Sequence, residues 1–319
     1  MVKYILKRIG LLFFTLIVIM FMCFVLIRML PRAIPEDPVH AEATLERWEA
    51  LGYNKPILVQ WWIYIRNIVT QWDFGTSWSI DYLEPAWDVI ANRLLPTVMV
   101  NLYSLVFSIP IGIGLGILAA IKKNKWQDHT ISTAVMVFVS VPSYVYAFLV
   151  QYTLYFKLGW LPLTISSVAD AGGSYFTWKM FVSMIPPVLA LSFGTIAGLA
   201  RFTRAELTET LTSEYMLLAR AKGLTRAQAT VRHAMRNAMV PILPMLIGEF
   251  IIILGGSMII EQIFAIPGVG QLYIQSINSN DYDVFMMDGV FYTFIGLLAG
   301  ILVDISYGFI DPRIRMGER

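Results

Sequence analysis

The chain has 319 residues, 57% of them hydrophobic and only 14% charged, with 24 basic residues against 22 acidic ones and a formal net charge of +2. Charge this sparse excludes an ordinary soluble domain, and a balance this even excludes a nucleic-acid partner held by net charge. Six windows, 10–30, 97–121, 131–156, 180–200, 241–260 and 286–310, are each long enough to cross the ~30 Å hydrocarbon layer at about 20 residues per span. No alternating barrel pattern accompanies them, so the expected fold is all-α, a polytopic membrane protein with six transmembrane helices.

Lys3, Lys7 and Arg8 precede the first apolar run. That run, 9–27, is too long for a signal-peptide core and has no small-x-small site before Pro31, so it reads as a retained span. Cys23 is expected to be a buried apolar filler, and one cysteine forms no internal disulfide. The segment 31–95 is the extramembrane block large enough to fold locally. Within it, 42–51 reads as a short helix ended by Gly52, 56–70 as a second, amphipathic helix, and WDFGTSW over 72–78 as an aromatic turn. Trp48, Trp61, Trp62, Trp72, Trp78 and Trp87 are either interfacial anchors and local core or a stacking surface for a sugar or peptide side chain. In the second span, Gly112, Gly114 and Gly116 form a small-residue stripe that admits a neighbouring helix. Pro142, Pro186, Pro187, Pro241 and Pro244 lie in or beside spans, where bundled membrane helices tolerate a kink that suits a path opening alternately.

The basic stretch EYMLLARAKGLTRAQATVRHAMRNAMVPILP, 214–244, interrupts the apolar pattern. No breaker occurs over 214–222, Gly223 stops that helix, and Thr225 is placed to cap a second one running towards Pro241. Glu214, Leu217, Leu218 and Ala221 recur at i, i+3, i+4 and i+7 and predict one mostly apolar docking face. Ala219 and Gly223 are small enough to admit a partner's backbone, while Arg220 and Lys222 lie off the face and can meet acidic rims.

Glu249 falls midway through the fifth window, where a bare charge costs about 2.5–3.5 kcal/mol. It is therefore expected to line a polar path, or to be held by structural pairing or as a protonated, packed carboxyl. EQIFAIPGVGQL over 261–272 contains Pro267, Gly268 and Gly270, which stiffen and then reverse the chain. With SNDYDVF over 279–285 it is expected to form an outer gate, a docking face, or a purely structural turn. Asp288 is expected at the interface near the end of the last span.

No glycine is followed by lysine, so no GxxxxGK[ST] phosphate loop is present. His40, His129 and His233 are scattered, no Cys/His/Asp spacing suits a metal, and no nucleophile-base-orienter set is visible. The chain reads as a non-enzyme without a metal or cofactor of its own.

The set Glu214, Ala219, Ala221, Gly223, His233, Ala234, Asn237, Ala238, Pro241 and Pro244 resembles the EAA loop of ABC-importer permeases, and ARAKG followed by HAMRNAMVP resembles the dipeptide and oligopeptide branch. Glu261, Phe264, Pro267, Gly268 and Gly270 match that family's outer turn, and Asp304, Tyr307 and DPRIR over 311–315 its ending. The chain departs from the family with PRAIPEDP and WDFG in place of PGDP-like and GDLG-like elements, and with Gly300 where asparagine is common. The resemblance implies the first permease subunit of a binding-protein-dependent type I importer. Its divisions would be a first cytoplasmic end and span over 1–30, an extracytoplasmic segment over 31–95, a five-span core over 96–310 with the coupling loop at 201–240, and a tail over 311–319.

The resemblance also implies the partners: a second homologous permease, two ATP-binding cassette subunits that use ATP and Mg, an extracytoplasmic binding protein and the lipid bilayer. Its cargo would be di- or oligopeptides, with nickel complexes, glutathione or oligosaccharides as alternatives. The positive-inside rule puts both termini in the cytoplasm, together with Lys122, Lys123, Lys125 and the bases of the coupling loop, and the resemblance implies the cytoplasmic membrane of a bacterial or archaeal cell. An ATP-independent secondary carrier or channel is the reading from a different class. It needs no such loop and often shows repeated halves, which are not seen here.

Overall fold

The computed structural model describes residues 2–30, 38–50 and 52–310. Those residues form α1 (Val2–Arg28), α2 (Pro38–Ala50), α3 (Ile57–Gln71), α4 (Ala86–Ile121), α5 (Trp126–Ser140), α6 (Ser143–Gln151), α7 (Trp178–Leu211), α8 (Glu214–Ala221), α9 (Arg226–Ala229), α10 (Met235–Ile252), α11 (Met258–Ile263), α12 (Val269–Asn278) and α13 (Tyr282–Ile310). The one bridge of extended type joins Thr76 and Pro85, so the described residues are helical with no strand. Most of PRAIPEDP and the whole DPRIR ending lie outside the described residues.

Five stretches are long and apolar enough to cross a membrane, namely α1, α4, α7, the run from α9 through α10, and α13. The sixth is a broken pair, α5 and α6 with the π-turn after it, bent by 100°. Pro142 dictates that break: its ring pushes Val141 into an extended conformation (φ −94°, ψ 128°), which ends α5 at Ser140. Pro186, Pro187, Pro241 and Pro244 sit inside continuous helices instead.

Several boundaries differ from the sequence expectation, among them the end of α7, which runs to Leu211, past the expected 200. α4 begins at Ala86, inside the predicted external segment. The fifth span begins with α9, passes through a π-turn at Thr230–Ala234 and stops at Ile252, short of the expected 260. Gly255 and Gly256 follow there, the latter at φ +66°, a left-handed conformation that glycine adopts without strain.

Inside a bilayer apolar burial does little to drive one helix onto another, so close packing at small residues carries the association. Gly112 and Gly116 supply it between α4 and α7. A Cβ at Gly112 would stand 2.7 Å from Leu199, and one at Gly116 would stand 2.6 Å from Thr203. Gly114 faces open space, so the predicted stripe is two glycines wide. The Ser104 and Ser192 hydroxyls meet at 3.1 Å across the same interface. Near the α8 end, Arg204 of α7 forks onto Asp128 of α5, which is almost wholly buried and also accepts from the Asn124 N–H and the Ser132 hydroxyl.

α3 and the turn before it fold back on α1. Phe24 packs against Trp61 and Tyr64 with ring centroids 5.3 Å apart in each pair, and Arg28 lies 3.6 Å from the Tyr53 ring centre. Cys23 is exposed, not buried as its apolar character suggested: the packed stripe of α1 is Leu12, Met20, Phe24 and Ile27, and Cys23 sits beside it.

Candidate functional site

Two sites stand out, at opposite ends of the bundle. The first is the turn of α8. α7 ends at Leu211, Ser213 is extended, and α8 runs over Glu214–Ala221 before the chain reverses at Gly223, whose φ of +89° explains why glycine occupies that position. Thr225 then caps α9 with a complete capping box. Its hydroxyl accepts from the Gln228 N–H, and the Gln228 side chain accepts from the Thr225 N–H.

α8 is amphipathic in a way that separates support from display. Met216 and Ala219 point inward and pack with Leu207, Ala229, Ala234 and Ala238. Leu217 and Leu218 point outward, 65% and 57% exposed, beside Glu214, Ala221 and Gly223, which are also exposed. The predicted face is therefore presented, with one correction. Ala219 is buried, so it seats α8 on its own bundle and admits no partner backbone. Tyr215, which the sequence reading passed over, adds an exposed ring. Arg220, Lys222, Arg226, Arg232 and Arg236 are exposed around the face. Two large bare leucines ringed by cations form a patch suited to a protein partner with an apolar groove and acidic rim.

The second site is the turn between α11 and α12. Glu261 is 2% exposed; it accepts from the Thr97 hydroxyl and the Gln271 N–H, both at 2.9 Å. Thr97 in turn accepts from the Val269 N–H at 2.9 Å, so one carboxyl joins α4, α11 and α12. Space dictates the glycines here. A Cβ at Gly256, Gly268 or Gly270 would approach the Glu261 carboxyl to 2.2, 2.4 and 3.0 Å respectively. Burial pushes the Glu261 pKa up to about 7, against hydrogen bonds from Gln271, Thr97 and the neighbouring backbone that pull it down.

Phe264 is fully buried among Met180, Met184, Ile260 and Ile266. Gly268 and Gly270 are buried and Pro267 is half-buried. A docking face made of these five residues is thus corrected, because their side chains point into the chain. They fix a turn, and the surface beside it is made by others.

Next to this turn lies an anchor that the sequence reading missed. Asp281 is fully buried, and one of its oxygens accepts from the Ser77 hydroxyl at 2.6 Å and from the N–H groups of Trp78, Ser79 and Ile80 at 3.1, 3.0 and 3.1 Å. Asp283 accepts from the Thr76 N–H, and a Cβ at Gly75 would stand 2.7 Å from it. The aromatic turn is therefore clamped onto the start of α13. Only Gly75, Thr76, Ser77 and Ser79, small residues on either side of Trp78, hinted at a backbone nest, and its carboxylate comes from 204 positions downstream of Ser77.

The tryptophans divide. Trp48 stacks on Tyr53 and Trp61 joins the α1 contact, whereas Trp72, Trp78 and Trp87 line an open pocket of about 530 Å³. Glu249 is half-buried on α10, and its carboxylate has no partner among the described residues. Asp288, expected at the interface, is fully buried with both oxygens unpaired, because it lies on the inner face of the first two turns of α13. No group of His, Cys, Asp and Glu among the described residues could hold a metal.

Comparison with known proteins agrees with this layout. Residues 112–316 match the family described as binding-protein-dependent transport system inner membrane component, and residues 1–101 match its N-terminal companion. The chain is 32% identical to the glutathione transport system permease protein GsiC of Salmonella choleraesuis and 33% identical to that of Escherichia coli K12, covering 99% of both chains in each case. Among solved structures, the MetNI methionine ABC transporter is similar with a TM-score of 0.51 at 20% identity, over 74% of this chain and 99% of that one. An amino acid ABC transporter with histidines is similar with a TM-score of 0.52 at 20% identity, over 70% and 94%.

Proposed function

Since this chain belongs to the binding-protein-dependent transport system inner membrane components, the permeases of type I ABC importers, we propose that its cargo is a di- or oligopeptide, with glutathione, itself a tripeptide, as the alternative that its relatives favour. It is a membrane component of a transporter and not an enzyme. In this reading a second permease completes the path, two ATPase subunits hold ATP and Mg, and a binding protein delivers cargo to the end opposite α8. The chain itself holds no cofactor, and both its termini are cytoplasmic.

The observation that carries the coupling role is the split of α8 into an exposed Leu217–Leu218 face and a Met216–Ala219 face seated on α7 and on the π-turn leading into α10. A push on the first face is passed through the second into two spans at once, which exchanges inward for outward access. Glutathione permeases at 32–33% identity over the full chain support a peptide-like cargo. Glu249, half-buried and unpaired on α10, is assigned to the cargo path.

The test is uptake by the four-subunit assembly in proteoliposomes supplied with its binding protein. Labelled glutathione, a dipeptide, maltotriose and a nickel chelate are offered in turn. ATP-dependent accumulation of the peptides, with Glu249→Gln altering their kinetics, is the expected result. Accumulation of only the saccharide or nickel complex would overturn the cargo, accumulation without ATP hydrolysis would overturn the coupling, and unchanged kinetics in Glu249→Gln would return that residue to packing.

A further inference from the structure

Beside the Glu261 turn, a recess of about 380 Å³ is lined by Gln262, Gln271, Ile274, Gln275 and Asn278. Four of its five walls end in a primary carboxamide and none carries a charge. Gln271, Gln275 and Asn278 fall at i, i+4 and i+7 along α12 and so share one face, while Gln262 comes across from α11. None of the four carboxamides has a hydrogen-bond partner among the described residues, although each offers two donors and an acceptor. A structural cluster of amides would bond to itself or to the backbone, as Gln60 does to the Tyr53 and Lys55 carbonyls and Gln151 to those of Leu163 and Ile263.

The recess is also held in shape. The Gln271 N–H is fixed by Glu261, and Gly270 lets α12 lie so close to α11 that a Cβ there would stand 2.8 Å from the Met258 nitrogen. Binding at a site built this way has to order the four side chains but not the backbone that carries them.

We propose that this recess is a subsite for an uncharged peptide-bond segment of the cargo, on the side where an importer receives it; the inference rests on the importer reading above. A ligand matching four free amides must donate and accept hydrogen bonds at short intervals and carry no net charge where it touches them, which describes a peptide backbone. A carboxylate or ammonium group would find no counter-charge there. A pyranose would find no aromatic platform, since no ring lines the recess. The volume suits a short peptide segment, being near the lower end of the usual range of ~300–1,000 Å³ for ligand sites.

The experiment measures equilibrium binding of radiolabelled N-acetyl-trialanine N-methylamide, and of maltotriose, to the assembled transporter in nanodiscs. The wild type is expected to bind the blocked tripeptide saturably. Gln271→Leu with Gln275→Leu is expected to weaken it about tenfold or more, a magnitude that follows from two lost hydrogen-bonding groups. Gln275→Asn, which keeps a carboxamide, is expected to stay much closer to wild type. Gln262→Leu, on the separate helix α11, repeats the test should the α12 double variant fail to assemble.

Absence of saturable tripeptide binding, equal binding in the leucine variants, or equal capture of maltotriose through the same residues would overturn the subsite. A loss confined to affinity for the binding protein would overturn it too and make the recess a docking surface. A complex that imports peptides but fails these tests leaves the importer reading intact, whereas one that binds the tripeptide through the recess but imports nothing overturns the importer reading alone.

Discussion

Asp281 and Glu261 are both buried carboxyls at the end of the bundle opposite α8, and they do different work. Asp281 accepts from one hydroxyl and three backbone N–H groups of the aromatic turn. Asp281→Ala leaves the buried Ser77 hydroxyl and three part-buried N–H groups without their acceptor, which costs on the order of 3 kcal/mol. The expected outcome is a lower unfolding temperature together with protease cleavage within 72–85; an intact segment would mean that the aromatic packing suffices. Asp281→Asn, which retains one acceptor, should cost less. Glu261 imposes a pH dependence. Its pKa rises from 4.5 in the unfolded chain to about 7 in the folded one, so the folded state holds the proton more tightly. Below ~4.5 both states are protonated and the contribution to stability is whole. As pH climbs towards 7 the unfolded state gains by ionising first, and stability falls until the folded carboxyl ionises as well. Thermal unfolding between about pH 5 and about pH 8 should show that decline, and Glu261→Gln should flatten it. A wild type and variant with the same pH profile would remove Glu261 as the cause. The turn at Glu261 was legible in the sequence because its acid, Gly268 and Gly270 lie within a dozen positions. Asp281 was not, because its donors lie some two hundred positions upstream and nothing local distinguishes it from any other acid between spans.

Gly223 belongs to the scale of the element, since it sets where α8 stops and how α9 starts. A Cβ there would meet nothing within 4 Å, so substitution acts through the backbone and not through a clash. Valine at φ +89° is strained by on the order of 1–3 kcal/mol, and the α8–α9 turn relieves the strain by shifting. Gly223→Val is therefore expected to keep membrane insertion and binding-protein association while substrate-stimulated ATPase and uptake fall together. Wild-type uptake in an intact complex would show that α8 does not carry the coupling. The breaker at Gly223, the cap at Thr225 and the outward face of Leu217 and Leu218 could be read from local spacing. The inward turn of Ala219 could not, because an alanine fits either face of a short helix and only the packing against Ala229 and Ala234 decides. Proline was similarly ambiguous. Pro142 breaks its span because the extended Val141 before it ends α5, whereas Pro186, Pro187, Pro241 and Pro244 are absorbed within continuous helices.

For the whole molecule the open question is how many times the chain crosses, and the contacts at each end answer it by parity. α4 ends at the α8 end, where Ala120 packs with Met216 and Ala219. α7 begins at the opposite end, where Met180 and Met184 pack with Phe264. The bent pair α5–α6 must therefore carry the chain from one end to the other, which makes it a crossing despite its 100° break. The Arg8–Asp304 ion pair, at 2.9 Å, sets the start of α1 beside the far part of α13, at the end that also bears Arg220, Lys222 and Arg226. By the positive-inside rule that end is expected to face the cytoplasm. Single cysteines in a Cys23→Ala background test the whole arrangement. Val69 and Phe176, 79% and 77% exposed, should react from outside as Val69→Cys and Phe176→Cys, while Ala227→Cys should react only after permeabilisation. Gln60 would be a poor reporter, because it is buried with its amide bonded to two carbonyls. Labelling of Val69→Cys and Ala227→Cys from one side would refute the orientation. Labelling of Phe176→Cys only from the cytoplasmic side would make α5–α6 a re-entrant hairpin, which would leave α7 unable to reach α8 at the cytoplasmic end by a single crossing.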